Sequence, residues 1–462
     1  MTAAHDLPQL PRPIRWASAT AAFQIEGART EDGRGRCIWD EWADEPGKVI
    51  DGSIAYPGAD SYHRWAEDVA LAAGLGLDNY RFSISWTRVQ PDGTGPANTA
   101  GLDYYSRLVD DLLEAGVNPV PTLYHWDLPI PLHQAGGWQN RDTAARLADY
   151  TQLVADRLSD RVKRWYTINE PAMTTLEGYA IGSLAPGQFL LFDALPTAHH
   201  QLLAHGLASR VLRAAGAEAV GVANNHTFVR PLNAGDAGDQ AAVVAYDILH
   251  NRIFADPVLT GSYPDLSAYG YEMPVEDGDM ALISERPDFY AINFYNPTTV
   301  QAPTGEGNPI PFDIVPTPGA PTTGFGEEWP IVPSTLTDLL VDFTERYREI
   351  PPLVISENGA SFPEPDHLDG APINDVDRIS YLDGHIRAIG DAMEAGAPVA
   401  EYTVWTLIDN WEWAAGYTQR FGLTHVDFDT AERTPKASYD WYRRVIAANR
   451  PASDESDGES RA

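Results

Sequence analysis

Eight short runs of apolar, β-branched and aromatic residues recur along the chain, with longer amphipathic stretches between most of them. That alternation is the strongest constraint on its fold. The runs are Arg15–Ala19, Asn79–Ile84, Pro119–Tyr124, Arg164–Ile168, Ala219–Ala223, Phe289–Phe294, Leu353–Ser356 and Tyr402–Leu407. Helical periodicity marks Asp60–Ala73, Leu102–Ala115, Asp142–Leu158, Leu195–Ala215, Ser334–Ile350 and Val376–Ala395. Gly116, Gly216 and Gly396 follow three of these at positions suited to a left-handed C-cap. The pattern predicts an α/β chain forming a closed (β/α)8 TIM barrel, one domain over residues 15–450 with elaborated βα loops. Residues 1–14 form an N-terminal extension, and the acidic stretch 451–462 reads as a disordered tail. An open doubly wound sheet is the alternative, but no Gly-rich phosphate loop follows any run. The Pro- and Gly-rich segment 302–333 reads as a long loop after the sixth run.

Polar residues gather where these runs end. The first leads to Gln24, the second carries Arg81, and the third ends at His125-Trp126. The fourth ends at Asn169-Glu170, the sixth at Asn293 and Tyr295, the seventh at Glu357 and the eighth at Trp405. In a barrel these ends converge on one mouth, where catalytic groups collect.

Two of them carry the chemistry. Glu170 lies in Thr167-Ile168-Asn169-Glu170-Pro171, and Glu357 in Val354-Ile355-Ser356-Glu357-Asn358-Gly359. Pro171 biases Glu170 towards an extended backbone, and Asn358-Gly359 is a turn dipeptide. Two carboxylates at one mouth suit hydrolysis of a glycosidic bond, which requires one ionised carboxylate and one protonated carboxylic acid. Arg81 and Tyr295 near Glu357 favour its charged form, whereas a facing carboxylate raises the pKa of Glu170. The plain alternative is that both glutamates cap strands.

The run Trp405-Thr406-Leu407-Ile408-Asp409-Asn410-Trp411-Glu412-Trp413 offers indole faces and a carboxylate, the groups that read a sugar's C–H face and hydroxyl rim. His125, beside Trp126 and Asp127, reads as a hydrogen-bond donor to a hydroxyl. His199-His200 is placed on a helix facing the barrel or solvent. No HExxH or Cys/His cluster occurs, so no metal and no organic cofactor are expected.

Composition narrows the partners. A net charge of −34 argues against nucleic acid and anionic membranes. The single cysteine, Cys37, excludes an internal disulfide and reads as a small residue packed beside Ile38 and Trp39. No run approaches a membrane span and no signal peptide is visible, so a cytoplasmic enzyme acting on a small-molecule substrate is expected. Oligomeric state is open.

Taken together these motifs resemble the family 1 glycoside hydrolases, chiefly bacterial β-glucosidases, from about Arg15 to Val445. Ala19-Thr20-Ala21-Ala22-Phe23-Gln24-Ile25-Glu26-Gly27-Ala28, Tyr80-Arg81-Phe82-Ser83-Ile84-Ser85-Trp86 and His125-Trp126-Asp127-Leu128-Pro129 carry the likeness, with both glutamate motifs, Asn293-Phe294-Tyr295 and the tryptophan run. The resemblance implies a barrel with Glu170 as acid/base and Glu357 as nucleophile. It also implies that Gln24, His125, Asn169, Glu412 and Trp413 hold the glycone hydroxyls, with Trp126 among the substrate-binding residues. Trp405 forms the floor, Arg81, Asn293 and Tyr295 set the nucleophile's state, and Trp329 lines the aglycone side. Ser356, Trp411 and Thr406 depart from the usual threonine, phenylalanine and serine, which bears on fine specificity alone.

A retaining β-glucosidase with β-galactosidase and β-fucosidase side activity is the expected function. Transglycosylation, 6-phosphoglycoside hydrolysis and non-catalytic sugar binding are the alternatives. No lysine lies between Lys163 and Lys436, and Glu412 would repel phosphate, which disfavours the second. Loss of a carboxylate is the usual mark of the third, and both are present.

Overall fold

The computed structural model describes residues 6–450 except Glu306, Asn308 and Asp369. Eight parallel strands close into a barrel: β1 (Arg15–Ala19), β2 (Asn79–Ser83), β3 (Asn118–Tyr124), β4 (Arg164–Asn169), β5 (Ala219–Asn225), β6 (Phe289–Asn293), β7 (Leu353–Asn358) and β8 (Val399–Trp405). Each pairs with its sequence neighbours, and β8 returns to β1. The strands are buried on both faces, which is why they read as nearly unbroken apolar runs. Trp16 shows the outward packing. It meets Tyr402 and Tyr442 edge-on at 6.0 and 5.9 Å, and burial of such a ring contributes roughly 1.5–3 kcal/mol.

The expected helices appear as Ser61–Leu75, Thr99–Glu114, Asp142–Leu158, Leu195–Ala214, Ser334–Arg346 and Val376–Glu394. Gly116, Gly216 and Gly396 sit at φ of 76°, 92° and 106°, so the left-handed caps are where the spacing put them. Leu10 donates its backbone N–H to Asn449 Oδ1 at 2.8 Å, and Asn449 Nδ2 returns a bond to the Pro8 carbonyl at 2.9 Å. Those bonds pin the leading segment to the last helix, Ala437–Ala448. Residues 1–5 and the stretch 451–462 lie outside the described residues.

Three local expectations are corrected. Glu170 is not extended but left-handed, at φ 47°, ψ 63°. Pro171 closes the right-handed helical region to it, and Pro171 itself opens the short helix Pro171–Met173, so the strand-to-helix elbow falls on Glu170 alone. Strand β7 continues through Glu357 to Asn358, with a register shift after Ile355. Gly359 is demanded by crowding rather than by a turn, since a Cβ there would meet the Trp405 carbonyl oxygen at 1.8 Å. Segment 302–333 is not a plain loop. It carries strand Asp313–Val315 and the hairpin Thr322–Thr323/Gly326–Pro330.

Candidate active site

Strand register sets the site. Ala19 pairs with both Arg81 and Trp405, Asn225 and Glu357 both pair with Asn293, and Asn169 pairs with Ala223. These pairings bring residues of seven strands, six at their C-terminal ends and Arg81 in the middle of β2, to one rim.

Glu357 is held from two sides. Arg81 Nη1 donates to its Oε1 at 2.5 Å and Tyr295 Oη to its Oε2 at 2.6 Å. Arg81 also donates from Nη2 to Asn169 Oδ1 at 2.6 Å, and its guanidinium lies 4.7 Å over the Tyr166 ring. Ser356 Oγ donates to Asn293 Oδ1 at 2.6 Å, which turns the Asn293 amide outward to donate to Glu170 Oε1 at 2.7 Å. One asparagine thus ties the two glutamates into a single network.

Their environments differ. Glu170 is pushed up to about 8, first by burial and then by the charge of Glu357. Among the described residues, its carboxyl accepts bonds from the amides of Asn293 and Asn225, the latter at 3.3 Å. Burial pushes Glu357 up as well, but the Arg81 guanidinium and the Tyr295 hydroxyl oppose it. The arrangement therefore favours a protonated Glu170 beside an ionised Glu357. The expected direction for Glu170 holds, with burial ahead of the second carboxylate as its cause.

The remaining candidates line the same mouth. Gln24 Nε2 donates to Glu412 Oε2 at 3.2 Å and to Asn410 Oδ1 and the Trp411 carbonyl, both at 3.0 Å. Its Oε1 is buried without a partner among the described residues, a vacant acceptor. Glu412 is pushed up to about 8, mainly by burial and next by Glu357. His125 is held neutral by burial and Arg81, with Nε2 3.1 Å from Asn169 Nδ2. Trp405 and Trp413 flank His125 with ring centroids 6.0 Å away. Trp126 packs on Trp413 at 4.6 Å and donates from Nε1 to the Asn169 carbonyl at 3.0 Å. Trp329, on the hairpin, lies 5.0 Å from Tyr295 and opens onto a cavity of about 940 Å³. Trp411 is instead core, fully buried and donating to Ser53 Oγ at 3.0 Å.

Other sequence candidates lie elsewhere. His199 bonds Asp279 and Tyr263, both at 2.9 Å, and His200 the Trp138 carbonyl at 2.8 Å, so both are buried supports of the helix layer. Cys37 is buried, and burial pushes its thiol up well beyond the lowering effect of Arg34. Glu364, Asp409 and His425 approach one another closely enough to hold an ion. Lys436, Arg378 and Arg420 already neutralise these carboxylates.

Two site residues went unread. Asn225 bonds Glu170, and His250 Nε2 lies 3.0 Å from Asn225 Oδ1. The polar group Asn224-Asn225-His226, directly after the fifth run, was the available signal.

A barrel mouth with two unlike carboxylates, indole walls and a vacant buried acceptor defines a glycoside hydrolase. The sequence matches the model of Glycosyl hydrolase family 1 over residues 7–451, and the chain belongs to that family. It is 41% identical over 446 residues to Beta-glucosidase A of Acetivibrio thermocellus, covering 95% of this chain and 98% of the relative. It is 41% identical over 462 residues to a bifunctional beta-D-glucosidase/beta-D-fucosidase of Bifidobacterium breve, covering 95% and 98%. Among solved structures, psychrophilic beta-glucosidase BglU of Micrococcus antarcticus superposes with a TM-score of 0.90 at 42% identity, covering 95% of this chain and 97% of that one. No described helix is long and apolar enough to cross a membrane.

Proposed function

We propose that this protein is a retaining β-glycosidase that releases terminal non-reducing β-D-glucosyl residues, with β-galactosides and β-fucosides as secondary substrates. The observation that carries the reading is the pair Glu170 and Glu357, joined through Asn293 and unequally held: burial raises both, but only Glu357 has the Arg81 guanidinium and the Tyr295 hydroxyl bonded to it to oppose the rise. In the first step the Glu357 carboxylate attacks the anomeric carbon. The glycosidic C–O bond breaks, and Glu170 passes its proton to the leaving oxygen. Glycosylation removes the charge of Glu357, which lowers the pKa of Glu170. It then takes a proton from water as the water displaces Glu357 and restores both carboxyls.

Gln24, His125, Asn169, Glu412 and Trp413 take the glycone hydroxyls, with Trp405 as the floor beneath the sugar and Trp126 among the substrate-binding residues. Arg81, Asn293 and Tyr295 set the state of the nucleophile. Trp329 borders the leaving-group side. The names of the relatives, beta-glucosidase and beta-D-glucosidase/beta-D-fucosidase, support the glucoside and fucoside parts of this reading.

The test is a panel of p-nitrophenyl β-glycosides on purified protein. Glucoside is expected first, galactoside and fucoside next, and 6-phosphoglucoside near zero. Preference for the phosphorylated sugar overturns the reading of Glu412 and Trp413. Failure to cleave any member overturns the hydrolase reading.

A further inference from the structure

The inside of a parallel barrel is ordinarily filled by branched apolar side chains. Beneath the mouth of this one, β2, β4 and β8 carry polar groups instead. Towards the N-terminal ends of the strands, Arg164 Nη1 donates to Glu401 Oε2 at 2.6 Å, and Asn79 Nδ2 donates to the same oxygen at 2.9 Å. Nearer the mouth stands the pair of Arg81 and Glu357. Tyr166 follows Arg164 by two residues on β4 and so shares its face of the strand. Its hydroxyl reaches towards Arg164 without closing a hydrogen bond of normal geometry, while its ring face carries Arg81.

Arg81 makes four hydrogen bonds from its guanidinium. Nε donates to Thr122 Oγ1 at 3.2 Å, Nη1 to Glu357 Oε1 at 2.5 Å and the Ser356 carbonyl at 3.1 Å, and Nη2 to Asn169 Oδ1 at 2.6 Å. Such bonds lie in the guanidinium plane and leave its faces unsupported. Tyr166 supplies that support. The guanidinium carbon stands 4.7 Å from the ring centroid, well inside the reach of cation–π attraction, which strengthens where water is excluded. Tyr166 is fully buried and meets Phe289 edge-on at 4.9 Å, so the ring cannot turn aside. Arg164 is occupied elsewhere, over Phe289 at 4.3 Å and paired with Glu401.

Glu357 is faced by Arg81 from β2, Tyr295 after β6, Glu170 after β4 and Glu412 after β8. Arg81 is the one cation among them. A guanidinium free to sink into the barrel would lengthen its bond to Glu357 and raise the affinity of that carboxylate for a proton. Arg81 itself keeps its charge at any working pH, so the ring acts on its position and not on its protonation.

We infer that Tyr166 is a positioning residue for the nucleophile, its ring face holding the Arg81 guanidinium against Glu357. The inference rests on the glycosidase reading for what Glu357 does.

The test reads Glu357 directly, by carbon-13 NMR titration of glutamate-labelled protein. The resonance is identified by its loss in Glu357→Gln. Beside it runs the pH profile of kcat/KM on p-nitrophenyl β-D-glucoside. Tyr166→Leu removes the ring and should raise both the Glu357 midpoint and the acidic limb by about half to one pH unit. Tyr166→Phe keeps the ring face and should move neither by more than about 0.2 unit. Trifluorophenylalanine in place of Tyr166 keeps the shape but weakens the negative face of the ring, and should move both part of the way upward. That substitution separates attraction from packing even where Tyr166→Leu folds poorly. A lower melting temperature with both midpoints unmoved, in the leucine or the fluorinated chain, overturns the inference. So does a Tyr166→Phe shift as large as that of Tyr166→Leu. The expected shifts of Glu357 without cleavage of any β-glycoside by the wild type leave the positioning role standing and sink the glycosidase reading instead.

Discussion

Arg81 Nη1 stands 2.5 Å from Glu357 Oε1, and both side chains are almost sealed from solvent at 2% and 4% exposure. A buried carboxylate without such a partner takes up a proton, and a protonated Glu357 is no nucleophile. Arg81 lies within β2 directly opposite Ala19, so the barrel itself holds this ion pair in place.

Arg81→Met should therefore cost more than contact area. Breaking a buried pair leaves an unmatched charge worth about 3–5 kcal/mol. The expected result is a kcat/KM loss of about 10³-fold or more at pH 6, with the acidic limb moved to higher pH. A pH–rate profile of the variant checks both. An unchanged acidic limb would show that Arg81 does not govern the ionisation of Glu357.

Glu170, at about 8, holds its proton below that pH and gives it up as pH rises through it. Cleavage of alkyl glucosides, whose leaving groups need protonation, should fall away above about pH 8. Glu170→Gln should abolish that basic limb and spare the first step on dinitrophenyl glucosides. Equal losses on both substrates would remove Glu170 from the acid role.

Asn225→Ala tests a residue outside the catalytic pair. It removes one donor to Glu170 and releases His250. A loss of about tenfold is expected on poor leaving groups and little on activated ones, with the basic limb displaced upward. Parallel losses on both classes would make Asn225 a binding residue.

Glu412 trades stability for recognition. Its pKa stands at about 8 in the folded chain against 4.5 for a free glutamate. The folded state thus binds the proton more tightly, and this stabilisation is complete below about pH 4.5 and lost as pH climbs through 8. Glu412→Gln should raise stability at pH 9, on the order of 2 kcal/mol, and leave pH 4 unchanged. The same substitution should lower kcat/KM for glucosides by about 10²-fold, because a buried acceptor for two hydroxyls is replaced. Calorimetric melting at both pH values and a kinetic assay decide it.

Most of the barrel was legible because parallel strands buried on both faces leave unbroken apolar runs. The ends were less so. The fifth run reads as ending at Ala223, whereas β5 continues to Asn225, so the one run without a polar end conceals a contact of Glu170. The elbow at Glu170 escaped because Pro171 forbids one backbone region without choosing between the other two. The hairpin bearing Trp329 carries Gly324, Gly326, Glu327, Glu328 and Pro330 within nine residues, types that are depleted in strands and read equally well as loop. Within the site, the residue types and their strands were readable. The network through Asn293 was not, because hydrogen-bond direction depends on register.

The central claim is covalent catalysis by Glu357, and following product configuration by proton NMR tests it most directly. Wild-type protein with p-nitrophenyl β-D-glucoside should release β-glucose first, with the α anomer appearing only by mutarotation. Glu357→Gly should be inactive until azide is added, and should then yield α-glucosyl azide. Initial release of α-glucose by the wild type, or hydrolysis by Glu357→Gly without added azide, would contradict it.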